Sequence, residues 1–347
     1  MLFNPEPKTK VEDFFNMEEE LRQFRESLNV GKLIIVSGLR RYGKTSLILT
    51  GLNSFGLDYV FLDCRLLPSG MFSINDFLSL LEDELNRKSW AKEVLRGING
   101  LSVSGLSLRF RRRDQNILLN ALKNLEGKVI VLDEAQELRR SNYRFDYLLA
   151  HLYDHVNVKI IVSGSQVGLL YKFLRVDNPE APLFGRPYLE IKLKRLSAQK
   201  SKTFLERGFE EEGLKVPSEV IEEAVKRFDG NIGWLTYFGY SYTRGNETIE
   251  RIFEKASKLS VNEVKHALNV YGLGRRRYVE VLKIVASGTS LKWSEIKRGI
   301  EAKLGKIPNN TLSNIIHNLV NQGFLEKTGG EYTIPDPILR NGIIKYL

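Results

Sequence analysis

Short apolar runs alternate with segments of helical spacing through the first half of the chain. Leu33 to Val36, Tyr59 to Asp63, Val129 to Leu132, Val158 to Val162 and Tyr188 to Leu193 are rich in Val, Ile, Leu or Tyr and apolar nearly throughout. Strands covered on both faces of a parallel sheet have this character, whereas half-exposed strands alternate. Between them, Thr45 to Leu52, Ile74 to Leu85, Asp114 to Leu125 and Phe145 to Asp154 repeat apolar residues at three- and four-residue steps, as a helix face does. The order predicts a doubly wound α/β sandwich around a five-stranded, mainly parallel sheet.

Gly100 to Phe110 interrupts that alternation. Leu101, Val103, Leu106, Leu108 and Phe110 stand against Ser, Gly and Arg, the pattern of an inserted β-hairpin. Its basic end, Arg109 and Arg111 to Arg113, reads as a charged guard on a solvated strand edge or as a contact for a polyanion.

Beyond Leu193 the pattern turns helical. Pro217, Ser218 and Glu219 predict a helix start, Val220, Ile221, Ala224, Val225 and Phe228 its apolar face, and Gly230 its end. From Arg277 three helical patterns follow, centred on Val281, Leu282 and Val285, on Ile296 and Ile300, and on Leu312 to Val320. A Thr328-Gly329-Gly330 turn then precedes Tyr332 to Ile334. Three helices and a hairpin describe a winged helix. The chain therefore divides into an α/β core (1–195), a helical lid (196–270) and a winged helix (271–347).

Composition narrows the class. The chain has 347 residues, 42% hydrophobic and 27% charged, and no apolar run long enough for a transmembrane helix. MLFNPEPKTK at the start has neither a signal core nor an Arg-rich amphipathic pattern, so the cytoplasm is the expected compartment. The lone Cys64 sits in an apolar run and is read as a buried thiol. A formal net charge of +10 and a pI near 9.4 raise the question of a polyanionic partner. Twelve Lys/Arg against six Asp/Glu between Tyr271 and Leu347 place more than half of that excess in the winged-helix segment.

The strongest chemical signal is Gly38-Leu39-Arg40-Arg41-Tyr42-Gly43-Lys44-Thr45, followed by Ser46, directly after the apolar run Leu33 to Val36. It fits the phosphate-binding pattern GxxxxGK[ST] in its required strand-to-helix setting. Gly38 and Gly43 allow a tight curl that turns backbone N–H groups toward an anion. Lys44 is expected to reach the β and γ phosphates, Thr45 to give its hydroxyl to Mg²⁺, and the following helix to aim its positive end at the phosphates. Val129 to Leu132 runs into Asp133 and Glu134, which places two carboxylates at the C-terminal edge of the sheet. Asp133 is assigned to Mg²⁺ through water, and Glu134 to the attacking water.

Ser165 and Gln166, after the run ending at Val162, are candidates for sensing the γ-phosphate, and a plain strand-end turn is the other reading. Arg186 is a candidate for transition-state charge, or else a surface arginine. His151 and His155 form an i,i+4 pair without the glutamate of HExxH and read as solvated helix face; no GxGxxG follows the first strand, which argues against a nicotinamide site.

With these residues, the chain resembles the archaeal ATPase family of P-loop proteins, relatives of AAA+ and of the signal-transduction ATPases with numerous domains. Gly38 to Leu47 matches its GxRRxGKTSL loop, Val129 to Gln136 its hydrophobic-DEAQ strand, Gly164-Ser165 its strand-end pair and Pro182 to Arg186 its PLxGR element. Asp336 to Arg340 resembles its closing motif. Phe15 to Leu21 is similar to its F-x-x-R-E-x-E-L box, with Met17 where arginine is typical. Gly230 to Leu235 is similar to its GGxPxxL element, with Asn231 and Gly233 in place of glycine and proline.

The resemblance implies a P-loop NTPase that binds ATP or ADP with Mg²⁺ between core and lid, hydrolyses ATP slowly, and reports the nucleotide state through its winged helix. The choice of ATP over GTP rests on the resemblance and on the lack of an N/TKxD element. The alternative is a DNA-binding regulator with an accessory ATPase. For that, Asn309 to Asn321 offers Asn310, Ser313, Asn314, His317 and Asn318 to bases, with Arg275 to Arg277, Lys303, Lys306 and Lys327 for phosphates. Partner and oligomeric state stay open between DNA, a protein client and further copies.

Overall fold

The computed structural model describes residues 1–15, 17–96, 101–104, 107–110, 114–245 and 247–347. They divide into two units, one of residues 7–39 and 44–193, the other of residues 1–6, 40–43 and 194–347.

The first unit holds strands β1 (Leu33–Ser37), β2 (Tyr59–Asp63), β3 (Leu101–Ser104), β4 (Ser107–Phe110), β5 (Val129–Asp133), β6 (Lys159–Gly164) and β7 (Leu189–Lys192). Five of them form one sheet in the order β2-β5-β6-β1-β7, with every pairing parallel. Its helices are α1 (Glu18–Val30), α2 (Lys44–Ser54), α3 (Ile74–Asn86), α4 (Ala91–Val94), α5 (Gln115–Lys123), α6 (Phe145–His155) and α7 (Val167–Leu174). Every residue of β1 and β5 is buried, which is why both read as unbroken apolar runs. At the sheet edges, β2 alternates between buried and half-buried positions, and β7 buries only Ile191. Ile35, Leu62, Ile130 and Val162 share one core with Phe77 and Leu81 of α3, Leu118 of α5 and Leu149 of α6. Each such side chain contributes about 1.5–3 kcal/mol by leaving water.

Strand register sets the position of the chemistry. Ser37 lies level with Gly164, and Asp63 with Asp133, so all four stand at the C-terminal edge of the sheet. Ligands of open α/β sheets bind outside that edge.

The expected insertion is an antiparallel hairpin of β3 and β4. Asn86 of α3 donates to Leu108 O and accepts from Leu108 N, and Glu82 accepts from Phe110 N, so side chains of α3 satisfy the free edge of β4. Leu108 and Phe110 are buried and Arg109 is exposed, while Arg111 to Arg113 lie outside the described residues.

The second unit contains α8 (Ala198–Glu211), α9 (Ser218–Phe228), α10 (Ile232–Gly245), α11 (Ile249–Ala267), α12 (Arg275–Ser287), α13 (Trp293–Leu304), α14 (Asn309–Asn321) and α15 (Pro337–Tyr346). Between them run β8 (Leu291–Lys292), β9 (Glu326–Thr328) and β10 (Glu331–Thr333), an antiparallel sheet in the order β8-β10-β9. Helix α9 starts where expected, and its C-terminal turn closes on Asp229 and Gly230, both at positive φ. Val261 and Val264 of α11, and Leu268 just beyond its end, lie in one core with Val281 and Leu282 of α12, Ile296 of α13, Ile316 of α14 and Ile343 of α15. The segments read as lid and winged helix thus share apolar packing.

Phe3 is buried in this second unit, edge-on to Phe204 and Phe209 of α8. It lies so close to Gly208 and Gly239 that neither position has room for a Cβ. Among the described residues, no helix is long and apolar enough to cross a membrane.

Candidate functional site

The loop from β1 to α2 is the segment that the sequence marks for phosphate binding. Gly38 and Gly43 have φ of +147° and +86°, and a Cβ on Gly38 would stand 2.9 Å from Leu193 O. Only glycine fits there without strain. Arg41, between them, takes the left-handed conformation at φ +66° despite its side chain. Helix α2 has no acidic residue in its own first turn, which leaves its positive end to groups outside the helix. Lys44 is buried and its Nζ donates to Gly38 O at 2.9 Å and Leu39 O at 3.0 Å, spanning the loop from within. Ser46 Oγ accepts from Lys8 N at 3.0 Å.

Asp133 ends β5 in the sheet interior. Thr45 Oγ1 donates to its Oδ2 at 3.0 Å, and Ser163 Oγ donates to its Oδ1. Arg65 Nη2 stands 3.9 Å from Oδ2 while pairing with Asp63 at 2.7 Å. Burial, and then the charge of Glu134, push the Asp133 carboxyl above its ordinary value despite the hydrogen bonds from Ser163 and Thr45.

Glu134 leaves the strand in a left-handed conformation, at φ +52°. That turn brings its Oε2 to three donors: Ser165 N at 2.9 Å, Ser165 Oγ at 2.7 Å and Gln136 Nε2 at 2.6 Å. Burial pushes this carboxyl upward, but the charge of Lys44 and those hydrogen bonds outweigh it and hold the group below its ordinary value. Glu134 is therefore ionised at neutral pH.

Lys44, Thr45, Asp133 and Glu134, distant in sequence, come together in this way. Gln166 caps the start of α7 without a side-chain cap bond, and it is the adjacent Ser165 that reaches Glu134. Arg186 donates to Asp154 Oδ1 at 2.9 Å and Oδ2 at 2.6 Å, and also to Pro182 O. Gln136, Ser163 and Arg65 were given no role from the sequence. Gln136 sits inside the DEAQ motif, which is the available signal; the sequence marks neither Ser163 nor Arg65, whose places depend on strand register. Within the N-terminal box, Phe15 and Met17 are buried, and Asn16 lies outside the described residues.

Residues 14–238 match the model of an ATPase domain found predominantly in Archaea. The chain belongs to that family. Residues 273–334 match the winged helix-turn-helix domain that ends MCM proteins. Among solved structures, the Walker-type ATPase PABY2304 of Pyrococcus abyssi is 34% identical, with 99% of each chain covered and a TM-score of 0.86. The RuvB Holliday junction branch migration motor of Thermotoga maritima is 15% identical over 94% of this chain and 95% of its own, with a TM-score of 0.47, too distant to bear on function. No curated protein matches the sequence.

For this archaeal-type ATPase domain, the donor set around Asp133 suits Mg²⁺. Among the described residues no group of three or more His, Cys, Asp or Glu side chains is arranged around a metal position. Thr45 Oγ1 and the Asp133 carboxylate form a hard, two-residue oxygen set, and Mg²⁺ in phosphate-transfer sites takes its other ligands from water and phosphate.

Proposed function

We propose that the protein binds ATP with Mg²⁺, hydrolyses it slowly, and acts as a switch whose nucleotide state the winged helix reports. The observation that carries this reading is the hydrogen bond from Thr45 to Asp133 beside a Glu134 held ionised at the same strand end. The backbone amides of residues 38 to 46 cradle the phosphates, and Lys44 exchanges its two carbonyl partners for phosphate oxygens. Thr45 and Asp133 would hold the ion, Asp133 through water. Bound Mg²⁺ would supply positive charge against the negative charge on the phosphate oxygens. Glu134 accepts the proton of the attacking water, with Ser165 and Gln136 fixing its direction. Gln166 is placed next to Ser165 to respond to the γ-phosphate; Arg186 acts only after leaving Asp154.

The test is turnover of ATP with Mg²⁺ and with chelator, alongside affinities for ATP and GTP. Metal-dependent release of phosphate and a preference for ATP support the reading, and a preference for GTP overturns it. Mass spectrometry of the purified protein for retained ADP distinguishes a stored switch from a freely cycling enzyme.

A second reading, a DNA-binding regulator with an accessory ATPase, has one observation in its favour. Asn310, Ser313, Asn314 and His317 form an exposed face of α14, and exposed Lys327 stands on the wing. Asn318 is engaged, donating to Tyr278 Oη at 2.9 Å. DNA titration at two salt concentrations decides: phosphate contacts require affinity to fall with salt.

A further inference from the structure

Residues 40–43, the crest of the phosphate-binding loop, cluster with the second unit rather than with the strand and helix that flank them. Arg40 Nη1 donates to Glu263 Oε2 of α11 at 3.0 Å, and Arg41 forms an ion pair with the same carboxylate. The Arg41 guanidinium also lies 3.9 Å from the centre of the Trp234 ring, close enough for a strong cation–π contact. Trp234 Nε1 donates to Asp336 Oδ2 at 3.0 Å, and Asp336 Oδ1 accepts from Ile338 N at 2.9 Å at the start of α15. The backbone is held as well: Gly233 N donates to Arg41 O at 2.9 Å, and Asn231 Nδ2 to Arg40 O at 3.4 Å.

We infer that Glu263 is a positioning residue for the phosphate-binding loop, fixing Arg41 against Trp234 and Gly233 so that the crest keeps its shape. A non-glycine residue at φ +66° is unfavourable and persists where its surroundings over-determine it. Across a trans peptide, N–H and C=O point in opposite directions. With the carbonyls of Arg40 and Arg41 turned toward Asn231 and Gly233, the amides of Arg41 and Tyr42 face the other way, free to meet phosphate. The same geometry accounts for Gly233, which stands where the resembling motif has proline. Proline has no N–H to give Arg41 O, and a Cβ at 233 would come within 2.5 Å of Arg41 Cβ. Burial pushes the Glu263 carboxyl up, but hydrogen bonding and charge from Arg41, then Arg40, hold it below its ordinary value. The contact is therefore complete above the ordinary glutamate range and is lost as pH falls through the lowered value.

This inference rests on the proposed nucleotide site, and two readouts separate their fates. Without nucleotide, hydrogen exchange of peptides spanning residues 38–46 should be several-fold faster in Glu263→Gln than in the parent, with exchange in the rest of α11 unchanged. With ADP, Glu263→Gln should raise the dissociation constant about tenfold, the value of about 1.4 kcal/mol. Combining it with Arg41→Gln should cost little more than either change alone. Glu263→Asp should recover part of the affinity. Exchange and affinity equal to the parent's overturn the inference, as does faster exchange spread over the whole unit. If the parent binds no ADP, the proposed function falls, and the exchange measurement alone decides the role of Glu263.

Discussion

Glu134 Oε2 accepts two hydrogen bonds from Ser165, one from its backbone N–H and one from its hydroxyl. The end of one strand thereby aims the carboxylate at the end of another. Replacing Glu134 by Gln should leave ATP affinity within twofold and lower kcat by about 10²–10⁴, the span of general-base catalysis. Normal turnover by that variant would remove Glu134 from the mechanism. Ser165→Ala takes away one bond that lowers the Glu134 pKa, so the acid limb of the kcat profile should move to higher pH. An unmoved limb would show that the hydroxyl has no hold on the base.

Lys44→Ala should weaken ATP binding about 10- to 100-fold, equivalent to about 1.5–3 kcal/mol for hydrogen bonds from a charged group. Titration calorimetry reads this directly. Its bonds to Gly38 O and Leu39 O also brace the loop, so exchange of the loop amides should quicken in the same variant.

Asp133 sets stability against function. Its folded pKa lies above the ordinary 3.8, so its favourable contribution exists at low pH and is lost as pH rises through the folded value. Above the folded value the ionised group weakens the fold. Asp133→Asn should therefore raise the melting temperature at pH 7 and leave it unraised at pH 3, while abolishing Mg²⁺-dependent turnover. A lower melting temperature at pH 7 would contradict this account.

Gly239 faces the Phe3 ring with no space between them. Gly239→Ala should cost about 1–3 kcal/mol by overpacking, and Phe3→Ala about 3–5 kcal/mol by opening a cavity. Joining Gly239→Ala to Phe3→Leu should restore part of the loss. Strictly additive losses in thermal melts would show that the two sites do not meet.

Much of this architecture is legible in the sequence. The five sheet strands stood out because parallel strands under helices on both faces need apolar side chains at consecutive positions, as Ile34, Ile35 and Val36 illustrate. The loop from Gly38 to Thr45 stood out because its shape demands glycine at fixed spacing. By contrast, β8 spans only Leu291 and Lys292, too short for any periodicity, and α15 was visible only as a closing motif. The grip of Ser163 on Asp133 depends on strand register, which a single sequence does not display. Neither could the sequence reveal why Arg40 and Arg41 follow one another in the loop, since their partner Glu263 lies more than two hundred positions away.

Phe3 is made near the start of synthesis, yet its neighbours Phe204 and Gly239 emerge only after two hundred further residues. The unit of residues 7–39 and 44–193 can close its own core while the first six residues wait. A gene cut at residue 194 would then give a C-terminal fragment with a hole the size of a phenyl ring in its helical layer. Such a fragment, which also lacks residues 40–43, should regain part of its stability when a peptide of residues 1–6 is fused to it through a flexible linker.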